Sequence, residues 1–347
     1  AYILKRYKQR LNQKREPIKV STGNTLTVMR IAILIAMDTV TLITAMLMHM
    51  LILKALKAVT DIRIAMATLM TNHDTPLAQS SANAVDAIDA ITAVNSIDID
   101  VTGRLLMLAS SNLPIGSYTY SQGIEPAIES GLICDEASSL EFMSDYLALA
   151  LCRYELPLLA LMMAALMSDD NALADALGAD YQASRESKEF VYESSQLALS
   201  LSAWLGDVLE LDVPDRLLAH GFLPLFAHIS SYWQLEPAQA MTTYAFGQIE
   251  NMVLAAVKTV PLGQMAGQRI IWQLQQLLSE RIPPLAASVQ QSFLQVQKLS
   301  LAANSLEETS ILKLNLLYQE LHMSANLPNL AILSCQHERQ YSRLFRS

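Results

Sequence analysis

From about Val101 onward, apolar positions recur every three or four residues, the spacing that turns one face of an α-helix toward a core. Leu140–Met167 carries the pattern, with a break expected near Pro157. Tyr181–Leu209 carries it with Phe190, Leu197, Leu201 and Leu205 roughly on one stripe. It returns over Met241–Val260, Gln268–Leu278, Leu285–Leu301 and Glu307–His322, while strand-like alternation is nearly absent. Asp135, Asp212 and Ser305 sit where N-caps are wanted, and Glu308 completes a capping box with Ser305. The pattern predicts one all-α domain over 101–347, a bundle of roughly eight to eleven helices.

Residues 1–100 read differently. Residues 1–30 are basic, with Lys5, Arg6, Lys8, Arg10, Lys14, Arg15, Lys19 and Arg30. Residues 31–53 are aliphatic and Met-rich, interrupted by Asp38 and His49. The run free of charged residues, Thr39–Leu53, is 15 residues long, short of the about 20 that a membrane span wants. Residues 71–100, rich in Asp, Ala and Ile, read as a low-complexity linker. The expectation is an atypical N-terminal extension, basic, then apolar, then low-complexity, with no stable domain of its own. A membrane-tethered adaptor directed by residues 1–53 is the alternative, and fractionation of the full chain tests it.

Composition agrees with helices: 52% of the 347 residues are apolar but only 6% aromatic, with few Gly and Pro. The net charge of −9 is uneven. Residues 1–100 hold 11 Lys and Arg against 8 Asp and Glu, whereas 101–347 hold 13 against 25. An acidic body is ill suited to neutralising phosphates, so nucleic acid is not an expected partner. The three cysteines, Cys134, Cys152 and Cys335, are widely spaced with no CxxC pair, which suggests a reducing cytoplasm.

No GxSxG, HExxH or Walker motif is present. The six histidines are scattered, and Cys335 with His337 is the one soft-ligand pair. Two ligands cannot close a tetrahedral site, although a symmetric dimer could supply two more. Three stretches stand out instead. In the first, Leu108–Glu125, Pro114 and Gly116 mark a turn and Ser117 can cap the next helix. Tyr118, Tyr120, Gln122 and Glu125 project from that helix start, either with one tyrosine in the core and one at the surface or together as a contact face. The second, Lys258–Gln268, is an elbow between helices. Gln264 and Gln268 fall on one helical face there, and Gly267 permits close packing. The third is His337–Ser347, HERQYSRLFRS. On a helix, Tyr341, Leu344 and Phe345 share a face beside Arg339, Arg343 and Arg346, ready to pack inward or to dock outward.

Together these stretches resemble the UreF family of urease accessory proteins, over roughly residues 103–347. The carrying motifs are the LAS..LP.G.Y.YS.G.E opening at 108–125, PLGQ..GQ at 261–268 and the HERQYSRLFRS ending. The resemblance implies an all-helical, cytoplasmic, non-catalytic protein that works as a homodimer with the GTPase UreG and with UreD (also called UreH). It would deliver nickel to apo-urease and hold no tightly bound cofactor, with nickel only in transit. It assigns Tyr341, Arg343, Leu344, Phe345 and Arg346 to the UreD interface. Tyr118, Tyr120, Ser121, Gln122, Glu125, Lys258, Gln264 and Gln268 go near GTPase contact and the nickel passage. Two positions depart from the family pattern, Phe190 and Ala198, so no function is carried to the segment around them. A nickel-binding metallochaperone using Cys335 and His337 across a dimer is a further alternative, tested by bound nickel after dialysis in a Cys335→Ala/His337→Ala variant.

Overall fold

Asp98 opens the first described helix, α1 (Ile99–Ala109), by accepting from the backbone N–H groups of Asp100 and Val101 at 3.0 and 3.1 Å. The computed structural model describes residues 98–346 apart from 261, 300–305 and 325–327. The expectations for residues 1–97, for Ser305 with Glu308, and for Pro261 lie outside the described residues.

The described chain is all helix and connection, without a strand among those residues. A 3₁₀ turn, Ser117–Thr119, precedes α2 (Ile124–Glu129). Gly116 and Gly123 enter these elements at φ 74° and 84°, a region open to glycine at little cost. Ser117 makes no side-chain cap, contrary to expectation, because the turn starts at Ser117 itself and Gly116 occupies the cap position. The remaining helices are α3 (Glu136–Tyr146), α4 (Leu156–Met167), α5 (Asn171–Ala183), α6 (Lys188–Leu209) and α7 (Asp215–Ala219). They continue with α8 (Phe222–Tyr232), α9 (Pro237–Thr259), α10 (Gln264–Leu299), α11 (Leu306–Leu321) and α12 (Pro328–His337).

Asp135 does cap α3, in a reciprocal capping box with Ser138. The break expected near Pro157 takes a specific form: nine residues of π-helix, Leu147–Glu155, join α3 to α4. Proline cannot donate to the carbonyl four residues back. The carbonyl thus freed, on Arg153, accepts from the backbone N–H of Ser324 at 3.3 Å instead. The wider turn also absorbs the register change, with Leu156 N–H reaching Leu151.

Three expectations are corrected. Tyr181–Leu209 is split by Ser184–Ser187, where the Ser187 hydroxyl caps α6 through the N–H of Phe190 at 3.1 Å. Asp212 caps nothing, because α7 starts at Asp215 behind Pro214. Gln268–Leu278 and the described part of Leu285–Leu301, up to Leu299, are one helix, α10, with Pro283 and Pro284 inside it. The reason is burial: Ile270, Leu274, Leu278, Ile282, Val289, Phe293 and Val296 form one stripe through the prolines, and packing overrides their local cost.

Helix α4 is buried on all sides from Leu156 to Met163 and packs against α5, α8, α9 and α10. Among the described residues, only the continuous segment Glu136–Met167 is long and apolar enough to cross a membrane, and 72% of its apolar window is inside the fold. Central position accounts for its hydropathy. Around it, Phe222, Phe226 and Tyr244 pack with ring centroids 5.3–6.1 Å apart. At the elbow, a Cβ on Gly267 would stand 2.8 Å from Val257 and 3.2 Å from Val253, so glycine lets α10 approach the side chains of α9.

Two histidines couple this packing to pH. A Cβ on Gly178 would meet the His220 ring at 2.6 Å, so the ring lies against α5. Burial lowers the pKa of both His220 and His228. The native state therefore binds fewer protons than the unfolded chain, and stability falls as pH drops through the unfolded value of about 6.5. Thermal melts from pH 7.5 to 5.5 are expected to show Tm falling, and a His220→Gln/His228→Gln variant to show a shallower fall. An equal fall in both proteins would refute the assignment.

Candidate functional site

The three stretches singled out in the sequence meet at one place. Helix α12 ends at His337, and residues 338–346 continue as turns rather than as a helix. Tyr341, Leu344 and Phe345 therefore do not share a helical face, which corrects the expectation. Phe345 turns inward at 8% exposure, whereas Tyr341 and Leu344 stand open to solvent. The Lys258 ammonium, at the end of α9, lies 5.7 Å from the Phe345 ring centroid and 5.9 Å from that of Tyr118. One cation thus joins the opening stretch, the elbow and the ending.

Beneath this surface lies a layer of buried acids. Glu125, from α2, accepts from the backbone N–H groups of Leu344 and Phe345 at 2.8 and 3.0 Å. His337, 1% exposed, sets Nε2 3.1 Å from Glu125 and Nδ1 2.9 Å from Glu189 of α6. Arg343 pairs with Glu189 at 3.0 Å and also bonds to the Glu338 carbonyl. Arg346 donates its backbone N–H to the Thr119 carbonyl at 2.8 Å. Its side chain hydrogen-bonds to Tyr120, whose hydroxyl pKa is raised by burial first and by the charge of Glu193 second.

Deeper still is a cavity of about 70 Å³ with a mixed lining, in which Gln122, Glu155, Arg185, Glu193 and Gln248 meet apolar side chains such as Phe222. Gln122, in the left-handed region at φ 51°, donates through Nε2 to Glu193 at 3.2 Å and to Gln248. Its Oε1 is buried without a hydrogen-bond partner. Arg185 pairs with Glu155 at 3.0 Å and stacks over the Tyr181 ring at 4.5 Å. Burial first and the Glu155 charge second push the Tyr244 hydroxyl well above its usual range, so it stays a neutral donor to Glu155 at 2.8 Å.

Of the opening stretch's five candidates, only Tyr118 is exposed; Tyr120, Ser121, Gln122 and Glu125 are buried. Of the two alternatives the sequence leaves open, the arrangement is the one with Tyr118 at the surface and Tyr120 in the core. Gln264 and Gln268 are exposed on the first turns of α10. Arg339, Arg343 and Arg346 are exposed around the tail. Cys335 is exposed while His337 is sealed between two carboxylates, so the pair does not converge on one point. Among the described residues, no group of three or more His, Cys, Asp and Glu is arranged to hold a metal ion.

Sequence reasoning leaves Glu189, Glu193, Glu155, Arg185 and Gln248 out of the site. A signal for two of them exists: Glu189 and Glu193 extend the four-residue spacing of Leu197 and Leu201, so two carboxylates face inward along an apolar stripe.

The arrangement has the composition of a docking surface: exposed Tyr and Leu anchors ringed by Arg and Lys over a hydrogen-bonded base. Comparison with known proteins agrees with the motifs. The UreF family profile matches residues 133–275. Urease accessory protein UreF of Dechloromonas aromatica is 37% identical over 250 residues, covering 70% of this chain and 96% of that protein. Its counterparts in Azotobacter vinelandii and Pseudomonas fluorescens are 36% and 37% identical over 248 and 257 residues, each covering 70% of this chain and 97% of the relative. With fold, motifs and near full-length coverage of these relatives in agreement, the chain belongs to the UreF family of urease accessory proteins.

Proposed function

We propose that this protein is a non-catalytic scaffold of urease maturation. Its C-terminal segment docks onto UreD through Tyr341, Leu344 and the surrounding arginines, while the rest of the molecule engages the GTPase UreG. Nickel is cargo, in transit to apo-urease, and the working form is a cytoplasmic homodimer. The observation that carries this reading is the convergence of Tyr118, Lys258 and Phe345, which anchors a tail that leaves Tyr341 and Leu344 exposed. Large open apolar side chains on an ordered base signal a partner.

The acidic body suits the passage of a cation without trapping it. UreD is the partner assigned to the tail because of the family resemblance of its last eleven residues. Co-purification of the full chain with UreG and UreD, with and without nucleotide, tests the proposal. A ternary assembly is expected. Failure of UreD to co-purify under either condition would overturn the tail assignment, and failure of UreG would overturn the bridging role.

A further inference from the structure

The tail has little regular hydrogen bonding of its own, yet its backbone direction is fixed. Residues 344–346 are held to the 119–125 segment by three backbone N–H bonds, and two of these end on the single carboxylate of Glu125. A third donor position, His337 Nε2, faces the same carboxylate. Glu125 is 4% exposed and sits on α2, which packs against α9 and α12. It is therefore a rigid inward point to which a turn-rich segment is tied.

Consecutive N–H groups converging on one side chain force the flanking side chains apart. Phe345 goes under Lys258, and Leu344 goes out to 71% exposure. We propose that Glu125 is the positioning residue of the docking surface. It never touches the partner, but it sets which face of the tail the partner meets and removes the ordering that binding would otherwise have to supply. This inference rests on the reading of the tail as the UreD-docking segment.

Chemistry makes the role specific to a carboxylate. Two acceptor oxygens serve three positions, and an amide in their place puts an NH₂ group against an N–H. Glu189 provides the control: it bonds the side chains of His337 and Arg343 rather than the amides of Leu344 and Phe345.

The test uses the purified full-length chain carrying Glu125→Gln or Glu189→Gln. Residue-resolved amide exchange is measured at Leu344 and Phe345, followed by titration with UreD. Glu125→Gln is expected to speed exchange at both amides about tenfold or more and to weaken UreD binding about tenfold, while helix-core amides keep their protection. Glu189→Gln is expected to leave both tail amides protected. Protected amides in Glu125→Gln, or a loosened tail that binds UreD as tightly as the unaltered chain, would overturn the proposal. Should Glu125→Gln fail to fold, Glu125→Asp keeps the charge but withdraws it from the amides, with the same expected exchange. If the unaltered chain does not bind UreD at all, the functional reading fails, and positioning is still decided by the exchange arm.

Discussion

Replacing Arg185 with leucine is expected to destabilise the domain by about 3–5 kcal/mol, the cost of leaving a buried carboxylate without its cation. Glu155 is that carboxylate: its side chain is 5% exposed, and that of Arg185 is 18% exposed. The guanidinium also covers the Tyr181 ring, so packing is lost along with charge. For a domain of this size the loss corresponds to a Tm drop of about 6–20 °C. The mechanism makes a second demand. Adding Glu155→Gln to Arg185→Leu removes the stranded charge and still offers an acceptor to the Tyr244 hydroxyl. The double variant is therefore expected to be more stable than Arg185→Leu alone. Thermal unfolding of both variants decides it; a double variant less stable than the single one would contradict the ion-pair account.

The second large effect is on binding and leaves the fold alone. Tyr341 and Leu344 are 106% and 71% exposed, so changing both to serine is expected to shift stability by less than about 1 kcal/mol. As paired anchors of a docking surface they are expected to carry much of the affinity, and their joint loss to weaken UreD binding about 100-fold or more. Phe345→Ala is expected to behave differently, because Phe345 is 8% exposed beneath Lys258. It should loosen the tail on the isolated protein before any partner is added. Surface plasmon resonance with immobilised UreD, beside melts of each variant, separates the two behaviours. A double serine variant with unchanged affinity would remove the anchors from the interface.

Much of the architecture is legible in the sequence, because amphipathic periodicity is strong where a helix lies between core and solvent. Periodicity fails where local and tertiary preferences compete. Pro283 and Pro284 argue for a break, but the stripe from Leu278 through Ile282 to Val289 holds the helix together. Pro157 does mark an irregularity, and the π-helix that absorbs it cannot be read from spacing.

The site is legible as three motifs and illegible as an arrangement. Residues far apart in sequence, such as Glu125 and Phe345, meet only through the fold. Polar residues at the opening read as surface, since glutamate and glutamine are seldom buried. Here Gln122 and Glu125 are buried because each meets polar partners, backbone amides and His337 for Glu125, and Glu193 and Gln248 for Gln122.

The central claim is that residues after His337 form the UreD-docking segment. The direct measurement is a calorimetric titration of UreD into the full-length chain and into a chain ended after His337. Ending there leaves in the chain the His337 imidazole that lies between Glu125 and Glu189. The account predicts saturable heat with the full-length chain and none with the shortened one, which still unfolds in one cooperative transition although it lacks the buried Phe345 and the Arg343–Glu189 pair. Equal affinity for UreD in the two proteins would contradict it.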